Sequence, residues 1–271
     1  MALNKDKVRE IFRDFSRSLR HRSQLKSPKE VHDLRTGSRR VEALVHAVML
    51  DERRVGRQSL KAVRLIRRKS GKVRDMDVLA DYVSGLEGGG EGDGEDECVV
   101  QLIGYLGKER LKAARKLRGS IMEHRKAARD RLKRCSSLLL HSSEEEDLER
   151  QWQSNPMVVA VQLFVEVSDW PRLTRANMHS YRLKVKELYY ILQMVEGSNA
   201  KLVGRLGEVK DAIGEWHDWS ELQVIAAQVL DHAPGCKVLQ HIRTTVSAKL
   251  HRALLLTNEV RRECLGGEDR P

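Results

Sequence analysis

Two short segments, Val31-His32-Asp33-Leu34-Arg35 and Met178-His179-Ser180-Tyr181-Arg182, lie 147 positions apart and carry the same chemistry. Each reaches a further base four residues past its arginine, Arg39 (followed by Arg40) in the first and Lys186 in the second. A guanidinium offers phosphate oxygens a planar fork of donors, and an ammonium adds a compact charge. A histidine among such cations resists protonation while the site is empty and favours its charged form once a polyanion is bound. Cations one helical turn apart can follow a linear phosphate chain from unit to unit. The candidate anion-binding residues are therefore His32, Arg35, Arg39, Arg40, His179, Arg182 and Lys186. Arg64, Arg68, Arg74, Arg205 and Lys210, which follow the two segments, are secondary candidates.

The spacing predicts that both segments are helices. On an α-helix, positions n, n+3 and n+7 fall within roughly 60° of one another. The apolar positions coincide in turn: Val31 with Met178, Leu34 with Tyr181, Val41 with Leu188, Leu44 with Ile191, Val45 with Leu192 and Val48 with Val195. One such helix would have an ordinary solvated face beside an apolar stripe. Two in register argue for a shared use. A second pair of motifs repeats in the same order, Gly71-Lys72-Val73-Arg74-Asp75 and Gly214-Glu215-Trp216-His217-Asp218. Asp75 is open to two readings here, a site group or a structural partner for an arginine on a neighbouring helix. An internal duplication follows, and with it two helical bundles related by a pseudo-twofold axis, the two His helices facing across a shared groove.

Composition agrees with an all-α chain. Its 271 residues include five prolines, none between positions 29 and 155, and 33% are charged. The net charge is +11, but Leu86 to Glu97 holds six acids and no base, leaving +17 on the rest. That charge favours polyanionic partners. Aromatic residues make up only 4%, too few for the stacking platforms of single-stranded nucleic acid binding. Cys98, Cys135, Cys236 and Cys264 lack C-x-x-C spacing and read as reduced thiols rather than zinc ligands. The first residues lack the apolar core of a signal peptide, and the longest apolar run, Met157 to Val167, is too short to span a bilayer. No membrane partner and a cytoplasmic location are expected.

Along the chain, periodicity predicts a first helix over 5–25, ending in a basic patch at Arg20-His21-Arg22. Ser27-Pro28-Lys29-Glu30 is a capping box opening the first His helix, which should run to about Leu50. Separate helices are predicted at 56–69 and, after Gly71, through Ser84. A mobile acidic, glycine-rich loop is expected over 86–97, then helices from Cys98 to Leu140 broken near Gly119. The halves are read as 1–150 and 151–271 of one domain, with Pro156 opening the second. Ser198 is the expected N-cap of a helix ending near Ile213.

Through His32-(x2)-Arg35-(x3)-Arg39-Arg40, Gly71-(x2)-Arg74-Asp75 and their second copies, the sequence resembles the CHAD family, the conserved histidine α-helical domain. The resemblance spans essentially the whole chain. It implies two four-helix bundles with a basic groove or pore between them, and non-enzymatic binding of inorganic polyphosphate without a cofactor. It also implies association with polyphosphate granules. Glu187, where the first half has Arg40, departs from the pattern. Two other classes are distinguishable. Nucleic-acid binding through the phosphate backbone fits the charge but lacks a recognition motif. A metal-dependent phosphohydrolase of the HD type is suggested by His32-Asp33 and His217-Asp218. The bases three and seven residues after each repeated histidine would repel its metal, so no metal ligands are assigned.

Overall fold

The computed structural model describes residues 4–20, 27–48, 54–86, 93–141, 146–231, 236–264 and 266, leaving aside the side chains of 93–96, 141 and 146–155. Among the described residues there are eight helices: α1 (Lys5–Ser18), α2 (Pro28–Ala47), α3 (Arg54–Ser84), α4 (Asp93–His141), α5 (Glu146–Ser168), α6 (Met178–Met194), α7 (Ala200–Val229) and α8 (Lys237–Cys264). The all-α class follows from the sequence as expected. So does the start of α2, where Ser27 caps Glu30 N–H, Glu30 caps Ser27 in return, and proline takes the first turn.

Glycine and proline do not break the helices where periodicity placed breaks. α3 passes through Gly71, α4 through Gly119 and α7 through Gly214. A helical glycine costs about 1 kcal/mol, which a continuous buried stripe offsets. In α4 that stripe runs Leu102, Leu106, Leu117, Ile121, Ala128 and Leu132. Pro156 does not open a helix but lies inside α5. Proline removes one backbone bond, and the buried Ala160, Leu163 and Val167 downstream hold the helix together. Asn199, not Ser198, caps α7, accepting from Leu202 N–H.

Of the predicted loop at 86–97, residues 87–92 lie outside the described residues and helix resumes at Asp93. Acids in a first helical turn complement the positive end of the helix dipole, which is why this acidic stretch is partly helix. Residues 21 and 22 of the predicted basic patch are also outside the described residues.

The first four helices and the last four repeat one arrangement. Consecutive helices pack within each set, while α2 packs on α6 and α3 on α7 between the sets. A pseudo-twofold axis relating α2 to α6 and α3 to α7 produces these contacts. One core runs through both halves, from Phe15, Leu34 and Ile66 to Tyr181, Leu188 and Ile242. The start of α1 is tied to the end of α6, where Asn4 N–H donates to the Met194 carbonyl (3.1 Å) and Lys7 Nζ to that of Gln193 (2.8 Å). Among the described residues no helix is long and apolar enough to cross a membrane.

Candidate functional site

Burying the apolar stripes of α2 and α6 fixes where their cations point. Val31, Leu34, Val41 and Leu44 in one helix, and Met178, Tyr181, Leu188 and Ile191 in the other, are fully or almost fully buried. The adjoining stripe then falls where α2, α3, α6 and α7 meet. Arg35, Arg39, Arg182 and Lys186 gather there, with Arg35 acting on Arg39 and Arg182, and all three arginines acting on Lys186. Arg39 is pushed down to about 10 by burial and then by Arg35, Arg67 and Arg182. Burial, then Arg182, Arg39 and Arg35, push Lys186 down to about 5. Lys186 is only 6% exposed. The Nε atoms of Arg35 and Arg39 are buried with no hydrogen-bond partner. Two donors inside the cluster are thus left without an acceptor.

His32 and His179 stand at the exposed ends of the two rows. Both are held below the usual imidazole range. For His32 the causes are burial and then Arg74; for His179 they are burial, then Arg182, Lys186 and Arg39. The His179 ring lies 4.8 Å from that of His217, which burial and His179 push down to about 4. His217 occupies the place that Arg74 has beside His32. The two halves therefore build similar ends with different chemistry, a cation–imidazole pair in one and an imidazole pair in the other.

Gly71 and Gly214 explain the coupling of the two repeated motifs. They are not turns. Each is a buried position in the middle of a helix across which an arginine lies. A Cβ on Gly71 would meet Arg35 Nε at 3.5 Å, an ordinary contact, whereas one on Gly214 would come within 2.3 Å of an Arg182 terminal nitrogen and 3.1 Å of its Cζ. Arg182 Nε also donates to the Lys210 carbonyl (3.3 Å). The two positions predict opposite outcomes. Gly71→Ala gains helix propensity, about 1 kcal/mol, and leaves anion binding intact. Gly214→Ala dislodges Arg182 and lowers polyanion affinity by about tenfold or more, the worth of one charge-assisted contact, with helical content unchanged. Titration calorimetry beside thermal unfolding checks this; equal affinities for the two variants would remove Arg182 from the site.

Sequence reasoning left Asp75 open and missed the companion acids. Asp75 and Asp218 sit within the influence of Arg35, Arg182 and Lys186, yet among the described residues neither has a cation within salt-bridge distance. Burial raises both above the usual carboxylate range against the pull of those cations. Burial and then the charges of Asp75 and Asp218 raise Glu221. Both aspartates follow a repeated glycine by four residues, and that recurrence was the available signal. Tyr82 and Trp219 stack across α3 and α7 (centroids 4.7 Å apart, planes 7° apart), fixing the two glycine helices to each other.

The remaining candidates divide. Lys210 stays near the centre, lying over the Tyr189 ring at 5.1 Å and pairing with Asp211 at 2.5 Å. Arg74 and Arg182 line a cavity of about 880 Å³ between α3, α7 and α8. Arg40 is exposed and lines a separate hollow with Lys7, Glu10 and Tyr190. Arg64 contacts His46 (2.9 Å), whose other nitrogen is 3.2 Å from Glu187. Arg64 and Arg68 share an 820 Å³ depression with Arg57 and Lys61. Arg205 is held by Glu208, Glu259 and Glu263 at 2.6–3.2 Å. Arg110, from the basic stretch of α4, is held by the buried Asp77 at 2.5 Å. Among the described residues no three His, Cys, Asp or Glu side chains are grouped to hold a metal.

Comparison with known proteins adds the following. The CHAD domain family model matches residues 10–227. A search of curated proteins gives no match. Among solved structures, PptA from Streptomyces chartreusis is similar with a TM-score of 0.70 and 17% identity, over 97% of this chain and 100% of that one. The CHAD domain from the plant Ricinus communis is similar with a TM-score of 0.63 and 15% identity, over 94% and 89%. At such identities the likeness is one of fold.

Proposed function

This chain belongs to the CHAD domain family, and we propose that it binds inorganic polyphosphate, without turnover, at the cationic centre between its two halves. The observation that supports the reading is the convergence of Arg35 and Arg39 from α2 with Arg182 and Lys186 from α6, in a half-buried cluster where the Nε donors of Arg35 and Arg39 lack partners. Gathering three guanidinium charges around a buried lysine is costly unless an anion completes the site. A linear polyphosphate supplies repeated oxygens on a thin, flexible chain. His32, His179 and Arg74 meet it at the rim, Lys210 adds its charge near the centre, and Arg40, Arg64 and Arg68 lie outward along α2 and α3. Arg205 contributes only if it leaves its three glutamates. Such a protein would work in the cytoplasm, alongside polyphosphate granules.

Competition at physiological salt tests this. Long-chain polyphosphate is expected to bind more tightly than ATP, orthophosphate or duplex DNA, because successive units engage successive cations in intramolecular steps. Affinity should fall steeply with salt as counterion release is lost. Equal affinity per molecule for triphosphate and for a chain of about a hundred units would overturn the reading, and preference for DNA would favour a nucleic-acid binder. Incubation with Mg²⁺, Mn²⁺ or Zn²⁺ should release no orthophosphate. Release that depends on His32 or Asp33 would restore the phosphohydrolase alternative.

A further inference from the structure

Two thiols that sequence spacing kept apart meet at the seam between the halves. Cys98 lies in the second turn of α4, in the first half, and Cys236 immediately precedes α8, in the second. Their sulfurs are 3.2 Å apart although 138 residues separate them. Both are buried, Cys98 at 2% exposure and Cys236 at 6%. Nearby, Gln101 Nε2 donates to Asp231 Oδ2 at 2.9 Å, a second tie from α4 to the end of α7. Cys135 and Cys264, by contrast, have no cysteine beside them.

We propose that Cys98 and Cys236 form a reversible disulfide that staples the two halves together when the protein meets peroxide. The two sulfurs already touch, so closure needs no rearrangement of α4 against α8 beyond bringing them into bonding distance. Hydrogen peroxide is the oxidant, small enough to reach a slightly exposed sulfur. Cys236, the more exposed of the pair, attacks a peroxide oxygen. The O–O bond breaks, an S–O bond forms, and one water leaves. Cys98 then attacks the sulfenic sulfur; the S–O bond breaks as the S–S bond forms, and a second water carries away the remaining thiol proton. Two thiols and one peroxide become one disulfide and two waters. In the reduced protein burial, and then the contact with Cys236, push the Cys98 thiol up to about 11, so Cys98 stays a protonated thiol and serves as the resolving partner, while the more exposed Cys236 meets the oxidant first. Cross-linking positions so far apart in the chain removes much of the unfolded state's freedom, and the product should be more stable than the reduced form.

The test treats the full chain with hydrogen peroxide until Cys264, the partly exposed internal reference, is fully modified, and then maps non-reduced peptides by mass spectrometry. The expected product is a linked peptide pair holding Cys98 and Cys236, two hydrogens lighter than its parts. A rise of several degrees in Tm, reversed by dithiothreitol, should accompany it. In Cys98→Ala, Cys236 should be trapped as a sulfenic acid by dimedone, with no link and no rise in Tm. Recovery of Cys98 and Cys236 as separate free thiols after Cys264 is consumed would overturn the proposal. So would a link from either one to a different cysteine. Should Cys98→Ala fold poorly, Cys236→Ser serves instead, where the absence of any Cys98 link is expected and its presence would overturn the pairing.

Discussion

Replacing Arg35 and Arg39 together by alanine is expected to weaken polyphosphate binding by roughly 10²–10⁴-fold, and replacing Arg182 and Lys186 together should do the same. Each charge-assisted contact is worth about 1.5–3 kcal/mol. The two pairs enter one centre from opposite halves, so neither half supplies a complete site. The structural signature is that each row responds to the other's charge: Arg39 feels Arg182, and His179 feels Arg39. The control is Arg205→Ala, which removes a cation of the same kind already engaged by three glutamates; its affinity should change by less than about threefold, in keeping with an exposed ion pair. Circular dichroism should show full helical content throughout. Retained binding in either double variant would put the site elsewhere, and a large loss in the control would mean that total charge, not this cluster, governs binding.

The parts of this architecture legible in the sequence are those set by periodicity and repetition. The two His helices and the capping box at Ser27 follow from local rules, and the fourfold-plus-fourfold helix arrangement from the recurrence of two motifs in the same order. Helix boundaries were less legible. Glycine at positions 71, 119 and 214 reads locally as a break, but a continuous buried stripe or an arginine lying across the residue overrides that preference. The site was legible as a set of cations and not as an assembly. Nothing in the spacing tells Lys186, buried at 6% exposure, from Arg40, which faces solvent on another hollow. Nor does spacing reveal that Arg205 is engaged by acids more than fifty residues away. Asp75, open in the sequence between a site group and an arginine's partner, and Asp218, read there within a His-Asp pair, are both placed among the arginines by the fold.

Lys186→Met should both stabilise the protein and abolish the pH dependence of polyphosphate binding between about pH 6 and 8. In the empty protein the Lys186 ammonium is pushed down to about 5, chiefly by burial and then by Arg182 and Arg39, so the side chain is neutral at pH 7. A bound polyanion reverses the local field and returns it toward its ordinary value of 10.5. Binding then takes up one proton, and affinity should fall about tenfold per pH unit over that window. The histidines add to this toward acid pH, since burial and neighbouring cations lower His32 and His179 in the empty site and His217 lies at about 4. The sign for folding is opposite to that of a favourable ion pair. Between pH 5 and 10.5 the unfolded chain holds a proton at Lys186 that the folded protein lacks, so stability rises with pH through this window and the penalty is greatest at its acid end. Methionine fills a similar volume without that penalty. Its gain in Tm should therefore be larger at pH 6 than at pH 9, while affinity falls by at least tenfold at pH 7, the worth of one charge-assisted contact. The two measurements separate a binding lysine from a packing one: a merely structural Lys186 would lose its stability penalty on substitution yet leave both the affinity and its pH slope as they were.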